Sequence, residues 1–143
     1  MTSTVRAVVR RVLLVDDSDL WRRSVRSIIE TQDFWQIVGE ASDGWDAIEQ
    51  VERLDPGLIL LDVALPRLNG IETAARLLER TPAPKILFMS AHTSPDIADA
   101  ALATGAHGYL LKGDAGSELL RAMEIVALGK RFVSSQLAGR LLA

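Results

Sequence analysis

Acidic residues follow two of the apolar runs in this sequence, at points where a buried strand would end. Asp16 and Asp17 come directly after the run VLLV, and Asp62 ends the run LILLD. Three carboxylates that lie close together repel one another, so a protein that gathers them is expected to bind a cation there. Mg²⁺ suits such a site because it prefers oxygen ligands and uses few carboxylates together with water and a phosphate oxygen. The three acids therefore predict a magnesium site.

A hydroxyl and an amine stand at the ends of two further apolar runs. Ser90 ends the run KILFMS, and Lys112 ends the run GYLLK. Phosphoryl transfer requires a nucleophile in line with the leaving group and positive charge near the equatorial phosphate oxygens. Asp62 could supply the nucleophile and Lys112 the charge, while the Ser90 hydroxyl could donate to a phosphate oxygen. The combination predicts a carboxylate that accepts a phosphoryl group.

Each of these residues also has an ordinary structural explanation when it is taken alone. An Asp after a strand is commonly a turn former or a helix cap. A lone Ser90 is commonly a turn or cap residue, and a lone Lys112 is commonly a solvated charge. Trp21, Trp35 and Trp45 are interpreted as core or partner-surface residues. The functional interpretation depends on the acids, the serine and the lysine meeting at one edge of the fold.

The elements that would bring these residues together are short runs rich in Val, Ile and Leu, which alternate with longer stretches of helical period. Such alternation predicts repeated βα units around a parallel sheet. Five strands are predicted, at 11–16, 36–41, 57–62, 85–90 and 108–112. Five helices are predicted, at 18–31, 44–54, 69–80, 95–104 and 115–129. The first, third and fourth strands are nearly continuous in apolar residues and should form the middle of the sheet.

Five βα units with right-handed crossovers favour an α/β fold with a doubly wound parallel sheet, in the flavodoxin-like strand order 2-1-3-4-5. The first and third strands are then neighbours. Ligands in such folds bind outside the carboxyl ends of the strands, at the point where the strand order reverses. The acids, Ser90 and Lys112 all stand at that edge of the predicted sheet. The predicted fold therefore gathers the groups that could do chemistry.

Composition and charge exclude several classes of protein. The chain has 143 residues, 48% of them hydrophobic, which is enough to bury the core of one domain without cross-links. It contains no cysteine, which excludes disulfides and thiolate metal sites and makes the cytoplasm the expected compartment. The net charge of −3 provides no broad basic surface for nucleic acid, and no apolar run approaches membrane-spanning length. We expect this chain to bind neither DNA nor a membrane by itself.

Four segments together resemble the receiver domain of bacterial two-component response regulators. They are VLLVDDS at 12–18, LILLDVALPRLNG at 58–70, ILFMSA at 86–91 and GAHGYLLKGD at 105–114. The resemblance extends over about 120 residues and rests on a specific set of motifs. It implies that Asp62 is the phosphoacceptor, that Asp16 and Asp17 join it in binding Mg²⁺, and that Lys112 contacts the phosphate.

The resemblance also implies a conformational switch. Ser90 would be the switch hydroxyl and Tyr109 the switch aromatic, while the backbone carbonyl of Ala64 would complete the metal site. Without the resemblance, Tyr109 would be interpreted as a half-buried tyrosine of an edge strand. One departure from the family pattern is Gly113, which stands where many receivers have a proline after the lysine.

The motifs also suggest how the chain is divided. We expect an N-terminal arm at 1–9, a receiver domain with five flanking helices at 10–130, and a tail or the start of a linker at 131–143. Ser134 or Ser135 would begin a short helix in that tail. The ending most resembles regulators of the LuxR or NarL type, which implies a helix-turn-helix output domain that this chain does not contain and through which DNA would be bound. The implied partners are a sensor histidine kinase and a second copy in a homodimer.

Three other interpretations compete with phosphoacceptor signalling. A phosphohydrolase of the haloacid dehalogenase type also uses a strand-end Asp with Mg²⁺, but it needs a second acid two residues later, where this chain has Ala64. A P-loop nucleotidase requires a G-x-x-x-x-G-K-[ST] segment that the sequence lacks. The alternative that stays open is a receiver fold used for docking or dimerisation without phosphorylation. Such modules typically lose a key acid or the lysine, whereas this chain retains them, so a signalling switch rather than an enzyme is expected.

Overall fold

The computed structural model describes residues 10–141, which form a parallel sheet with helices on both faces. The strands are β1 (Arg10–Val15), β2 (Trp35–Ala41), β3 (Leu58–Asp62), β4 (Lys85–Ser90), β5 (Gly108–Leu111) and β6 (Phe132–Val133). The helices are α1 (Asp19–Ile29), α2 (Gly44–Leu54), α3 (Gly70–Leu77), α4 (Pro95–Leu102), α5 (Ala115–Ala127) and α6 (Ser135–Leu141). A 3₁₀ turn at Lys112–Asp114 leads from β5 into α5. The predicted N-terminal arm at 1–9 lies outside the described residues.

The strand order is β2-β1-β3-β4-β5-β6, and every neighbouring pair is parallel. The predicted doubly wound α/β fold is confirmed, as is the order of the first five strands. β1 and β3 are adjacent, with Val15 opposite Leu61, so their carboxyl ends lie at the same edge. β4 continues this alignment, with Met89 opposite Asp62. Residues that follow these three strands are therefore brought close together.

Apolar side chains bury the central strands on both faces. Residues 12–15, 58–61 and 86–89 are each at most 3% exposed. On one face the sheet packs against α2, α3 and α4, and on the other it packs against α1 and α5. Strands covered on both faces require unbroken apolar runs, which is why the sequence pattern predicted these three strands well.

Capping residues mark where several helices begin. The side chains of Ser18 and Asn69 accept hydrogen bonds from the backbone N–H groups of Trp21 and Glu72, so they precede α1 and α3 as caps. Four of the five predicted helices end two or three residues earlier than expected, because the residues that follow them form turns. Among the described helices, none has the length and apolarity needed to cross a lipid bilayer.

The sheet contains a sixth strand, so the predicted count of five strands is wrong. The Phe132 N–H donates to the His107 carbonyl, and the Ser134 N–H donates to the Tyr109 carbonyl, each at 3.0 Å. β6 thereby covers β5, which is not the edge strand that the sequence suggested. A strand of two residues is too short to produce a recognisable alternating pattern.

The segment after β6 packs on the domain. Leu137 of α6 is 1% exposed and belongs to the same apolar layer as Tyr109 and α4. Ser134 precedes α6, and its carbonyl accepts the Ala138 N–H at 3.0 Å. Its hydroxyl instead accepts the Leu111 N–H at 2.8 Å. The short helix predicted in the tail is present, and the Ser134 side chain ties it to β5.

Gly70 allows α3 to begin in close contact with the end of β3. Its N–H donates to the Val63 carbonyl at 2.8 Å. A Cβ at this position would lie 1.9 Å from the Asp62 carbonyl oxygen, which is far inside van der Waals contact. Any side chain here would push α3 away from the strand that carries Asp62.

Gly70→Ala is therefore expected to lower the free energy of unfolding by about 3 kcal/mol, because a methyl group would collide with backbone. Gly116 in α5 is the matched control, since a Cβ there meets nothing within 4 Å. Gly116→Ala should raise the free energy of unfolding by about 0.5–1 kcal/mol. Urea unfolding measures both changes. Wild-type stability in Gly70→Ala would show that the start of α3 does not pack against the end of β3 as described.

Candidate functional site

Three carboxylates meet beyond the carboxyl ends of β1 and β3. Asp16 and Asp17 follow β1, and Asp62 is the last residue of β3. One carboxylate oxygen from each acid lies within 4.8 Å of the other two. Asp16 and Asp62 are 3% and 6% exposed, whereas Asp17 is exposed. The structure thus gathers the three predicted acids into one cluster that opens to solvent on the Asp17 side.

Lys112 places its ammonium beside the two buried acids. Its Nζ lies 2.7 Å from Asp16 Oδ2 and 3.4 Å from Asp62 Oδ2. The lysine reaches this position from the turn that follows β5, on the far side of β4. Within the described part of the chain, Asp16 Oδ2 is buried and accepts no hydrogen bond, although it is paired electrostatically with Lys112. This oxygen retains the capacity to bind another positive group.

Backbone groups hold the other oxygen of each buried acid. The Ser18 N–H donates to Asp16 Oδ1 at 2.8 Å, and the Ala64 N–H donates to Asp62 Oδ1 at 3.3 Å. The Arg22 guanidinium donates to the Asp16 carbonyl and so fixes the backbone before α1. These contacts orient both carboxylates, and their Oδ2 atoms are directed toward Lys112.

The charges of this cluster are incompletely balanced. The pKa of the Asp62 carboxyl is raised to about 6, chiefly because burial disfavours the charged form and also because Asp16 repels it. The nearby Lys112 acts in the opposite direction but does not cancel these two effects. A divalent cation would relieve the remaining repulsion, and carboxylate oxygens are the donors that Mg²⁺ prefers. The residues present therefore fit a magnesium ion.

Ser90 ends β4 and Tyr109 lies in β5, and their side chains are joined through the backbone of His92. The Ser90 Oγ accepts the His92 N–H at 3.0 Å, and the Tyr109 hydroxyl donates to the His92 carbonyl at 3.0 Å. Both Ser90 and Tyr109 are fully buried. The interpretation of Tyr109 as a half-buried edge tyrosine is therefore wrong. Its ring points into the domain, 6.4 Å from the ring of Phe88, and burial raises the pKa of its phenol.

Trp21 also lies at the site, although the sequence did not identify it as a site residue. Its ring centroid is 5.1 Å from Lys112 Nζ. The one signal in the sequence is its position in the first turn of α1, shortly after the acidic pair. That position alone does not indicate contact with a lysine that is 91 residues further along the chain.

Comparison with known proteins agrees with this arrangement. The family model of the response regulator receiver domain matches residues 12–124, which include all the acids, Ser90, Tyr109 and Lys112. The chain belongs to the response regulator receiver family. This is a signalling family and not a family of enzymes. The resemblance identified from the four sequence segments is thereby confirmed.

Curated relatives of this receiver are longer than the chain. The nitrate/nitrite response regulator protein NarL of Escherichia coli (strain K12) is 39% identical over 132 residues, which are 92% of this chain and 61% of NarL. The transcriptional regulatory protein DegU of Brevibacillus brevis is 33% identical over 132 residues, which are 92% of this chain and 56% of DegU. The receiver thus spans 56% to 61% of the length of these two relatives.

Solved structures of related receivers share the fold. A two-component response regulator of the LuxR family from Aurantimonas sp. SI85-9A1 superposes with a TM-score of 0.89 at 30% identity, over 94% of this chain and 96% of that one. The signal receiver domain of the putative response regulator NarL from Mycobacterium tuberculosis superposes with a TM-score of 0.79 at 34% identity, over 85% of this chain and 98% of that one. The receiver is therefore similar to LuxR- and NarL-type regulators in both sequence and fold.

The raised pKa of Asp62 predicts that, when divalent cations are absent, ionisation of Asp62 lowers the free energy of unfolding as the pH rises. The folded protein keeps this proton up to about pH 6, whereas an unfolded Asp loses it near pH 4. The folded state is therefore destabilised as the pH rises from about 4 to about 6, and the cost persists at higher pH. Asp62→Asn should raise the free energy of unfolding at pH 7.5 by about 1–2 kcal/mol, after allowance for solvent screening, and should change it little at pH 4.

Urea unfolding with a chelator present measures this difference. Asp99→Asn, at an exposed position on α4, is the matched control and should be close to wild type at both pH values. An Asp62→Asn protein no more stable than wild type at pH 7.5 would show that Asp62 is not under electrostatic strain.

Proposed function

We propose that this receiver takes a phosphoryl group onto Asp62 and changes conformation in response, as the phosphoacceptor switch of a two-component system. The observation that carries the proposal is the position of buried Asp62. One of its carboxylate oxygens lies within 4.8 Å of an oxygen of each of the two other acids, and its Oδ2 lies 3.4 Å from the Lys112 ammonium. A docking module that is never phosphorylated would have no use for this costly concentration of charge.

Asp62 is the proposed nucleophile. One of its carboxylate oxygens forms a bond to phosphorus while the bond from phosphorus to the donor breaks, and the donor leaves with that electron pair. The leaving group is the imidazole of a phosphohistidine or the acetate of acetyl phosphate. Lys112 stabilises the charge on the transferring group. Water later attacks the acyl phosphate, which releases inorganic phosphate and restores the Asp62 carboxylate.

Asp16, Asp17 and Asp62 are the residues proposed to hold Mg²⁺, with the backbone carbonyl of Ala64 as a further ligand. When bound, the ion supplies positive charge that offsets the negative charge of the phosphoryl group. The short separation of the three acids supports this assignment. The exposure of Asp17 leaves space for water ligands and for the phosphoryl donor.

Ser90 and Tyr109 are proposed to carry the response from Asp62 to the surface formed by α4 and β5. The Ser90 hydroxyl and the Tyr109 hydroxyl bind the N–H and the carbonyl of the same residue, His92. A Ser90 hydroxyl that turns toward a phosphoryl oxygen would change its bond to His92, three residues before α4 begins. The phosphoryl group shifts this equilibrium only to the extent that it interacts differently with the two arrangements.

The proposed donor is a sensor histidine kinase, and the proposed compartment is the cytoplasm. NarL is named a response regulator and DegU a transcriptional regulatory protein, and this receiver matches part of each. We therefore propose that it controls transcription through a helix-turn-helix domain outside this chain, which would also make the contact with DNA. A homodimer of receivers is the proposed active assembly.

Incubation with acetyl phosphate and Mg²⁺ tests the proposal by intact mass. The wild type should gain the mass of one phosphoryl group, whereas Asp62→Asn should gain none, because it lacks the nucleophilic oxygen. A chelator should prevent the adduct. Asp99→Asn, which keeps Asp62 intact, should be phosphorylated like the wild type. An adduct that persists in Asp62→Asn would contradict the assignment. A wild type that neither becomes phosphorylated nor binds Mg²⁺ would favour the docking module.

A further inference from the structure

Trp21 presents the face of its ring to the ammonium of Lys112. The distance of 5.1 Å from Nζ to the ring centroid lies within the range of an attractive cation–π contact, which extends to about 6 Å. The backbone N–H of Trp21 donates to the Ser18 hydroxyl at 3.1 Å, which fixes the first turn of α1. The ring is half-buried and borders a cavity about the size of one water molecule, which Asp16 and Met89 also line. The contact therefore belongs to an ordered part of the site.

The partners of Lys112 differ in what the proposed chemistry requires of them. Asp16 and Asp62 bind the ammonium through their carboxylates, at 2.7 and 3.4 Å. Both carboxylates are also proposed to bind Mg²⁺, and Asp62 becomes bonded to phosphorus. The Trp21 ring takes part in neither event, since an aromatic face has no oxygen to offer a hard cation. It is the partner that Lys112 can keep throughout the reaction.

We propose that Trp21 is a positioning residue that holds the Lys112 ammonium beside Asp62 during phosphoryl transfer. The inference rests on the proposed function of Asp62 and Lys112. A lysine side chain has a flexible four-carbon stem and loses considerable rotamer freedom when its ammonium is held in one place. The ring limits that freedom by attraction, without competing for the metal ligands. Loss of the ring should slow phosphoryl transfer and leave Mg²⁺ affinity unchanged.

A kinetic comparison separates positioning from packing. With acetyl phosphate and saturating Mg²⁺, Trp21→Leu should react about fivefold more slowly than wild type, the factor expected from one cation–π contact. Its Mg²⁺ dissociation constant should stay within about twofold of the wild-type value. Trp21→Phe keeps an aromatic face and should recover most of the rate. Trp45→Leu is the matched control, because Trp45 covers the Arg76 guanidinium at 4.9 Å, a pair that includes no proposed site residue.

A second measurement follows the contact itself and requires no phosphorylation. The chain has three lysines, Lys85, Lys112 and Lys130, so NMR of ¹³C-labelled lysine gives a simple spectrum. The Lys112 Cε and Hε signals should show an upfield ring-current shift in the wild type that persists when Mg²⁺ is added. Trp21→Leu should remove that shift, and urea unfolding of the variant verifies that it is folded.

Several results would overturn the inference. A wild-type rate in Trp21→Leu would do so, as would a slow rate explained by weaker Mg²⁺ binding. Equal slowing in Trp21→Phe and Trp21→Leu would identify Trp21 as a packing residue. Loss of the ring-current shift on addition of Mg²⁺ would show that Lys112 leaves the ring. If the wild type itself is not phosphorylated, the proposed function fails, and the NMR result still reports whether the ring holds the lysine.

Discussion

The burial of two acids, Asp16 and Asp62, at one edge of the sheet is the constraint on which the site depends. The pairing of β1 with β3 places both acids at one edge of the sheet, where their carboxylates lie close together. Backbone N–H groups hold one oxygen of each, and Lys112 faces both from the end of β5. Burial and repulsion still leave the pKa of Asp62 at about 6. The charged form of Asp62 therefore destabilises the folded domain, and a bound cation would relieve this destabilisation.

Ser90, at the same edge of the sheet, is linked to the C-terminal segment formed by β6 and α6. His92 binds both Ser90 and Tyr109 through its backbone, and the carbonyl of Tyr109 accepts the Ser134 N–H. Leu137 packs in the apolar layer that contains the tyrosine ring. A rearrangement at Ser90 would therefore act on α4 and on the segment formed by β6 and α6. These contacts connect Ser90 to α6 through His92, Tyr109 and Ser134.

Much of this arrangement could be predicted from the sequence. β1, β3 and β4 are buried on both faces, so their apolar runs are unbroken, and the acids that end such runs necessarily share an edge. β6 was missed because two residues carry no period, and the burial of Tyr109 was missed because β6 and α6 cover it. The contact between Trp21 and Lys112 depends on how α1 and the β5–α5 turn approach each other. The roles of Ala64, Ser90 and Tyr109 came from family resemblance and stay predictions.

The most direct test of this account is the stability of the protein as a function of Mg²⁺ concentration at constant ionic strength. The free energy of unfolding by urea should rise with the logarithm of Mg²⁺ concentration above the dissociation constant, by about 1.4 kcal/mol for each tenfold increase. Asp17→Asn, which removes one proposed ligand but neither buried acid, should need more Mg²⁺ to produce the same rise. A wild-type stability that does not depend on Mg²⁺ would contradict the claim that these acids form a cation site.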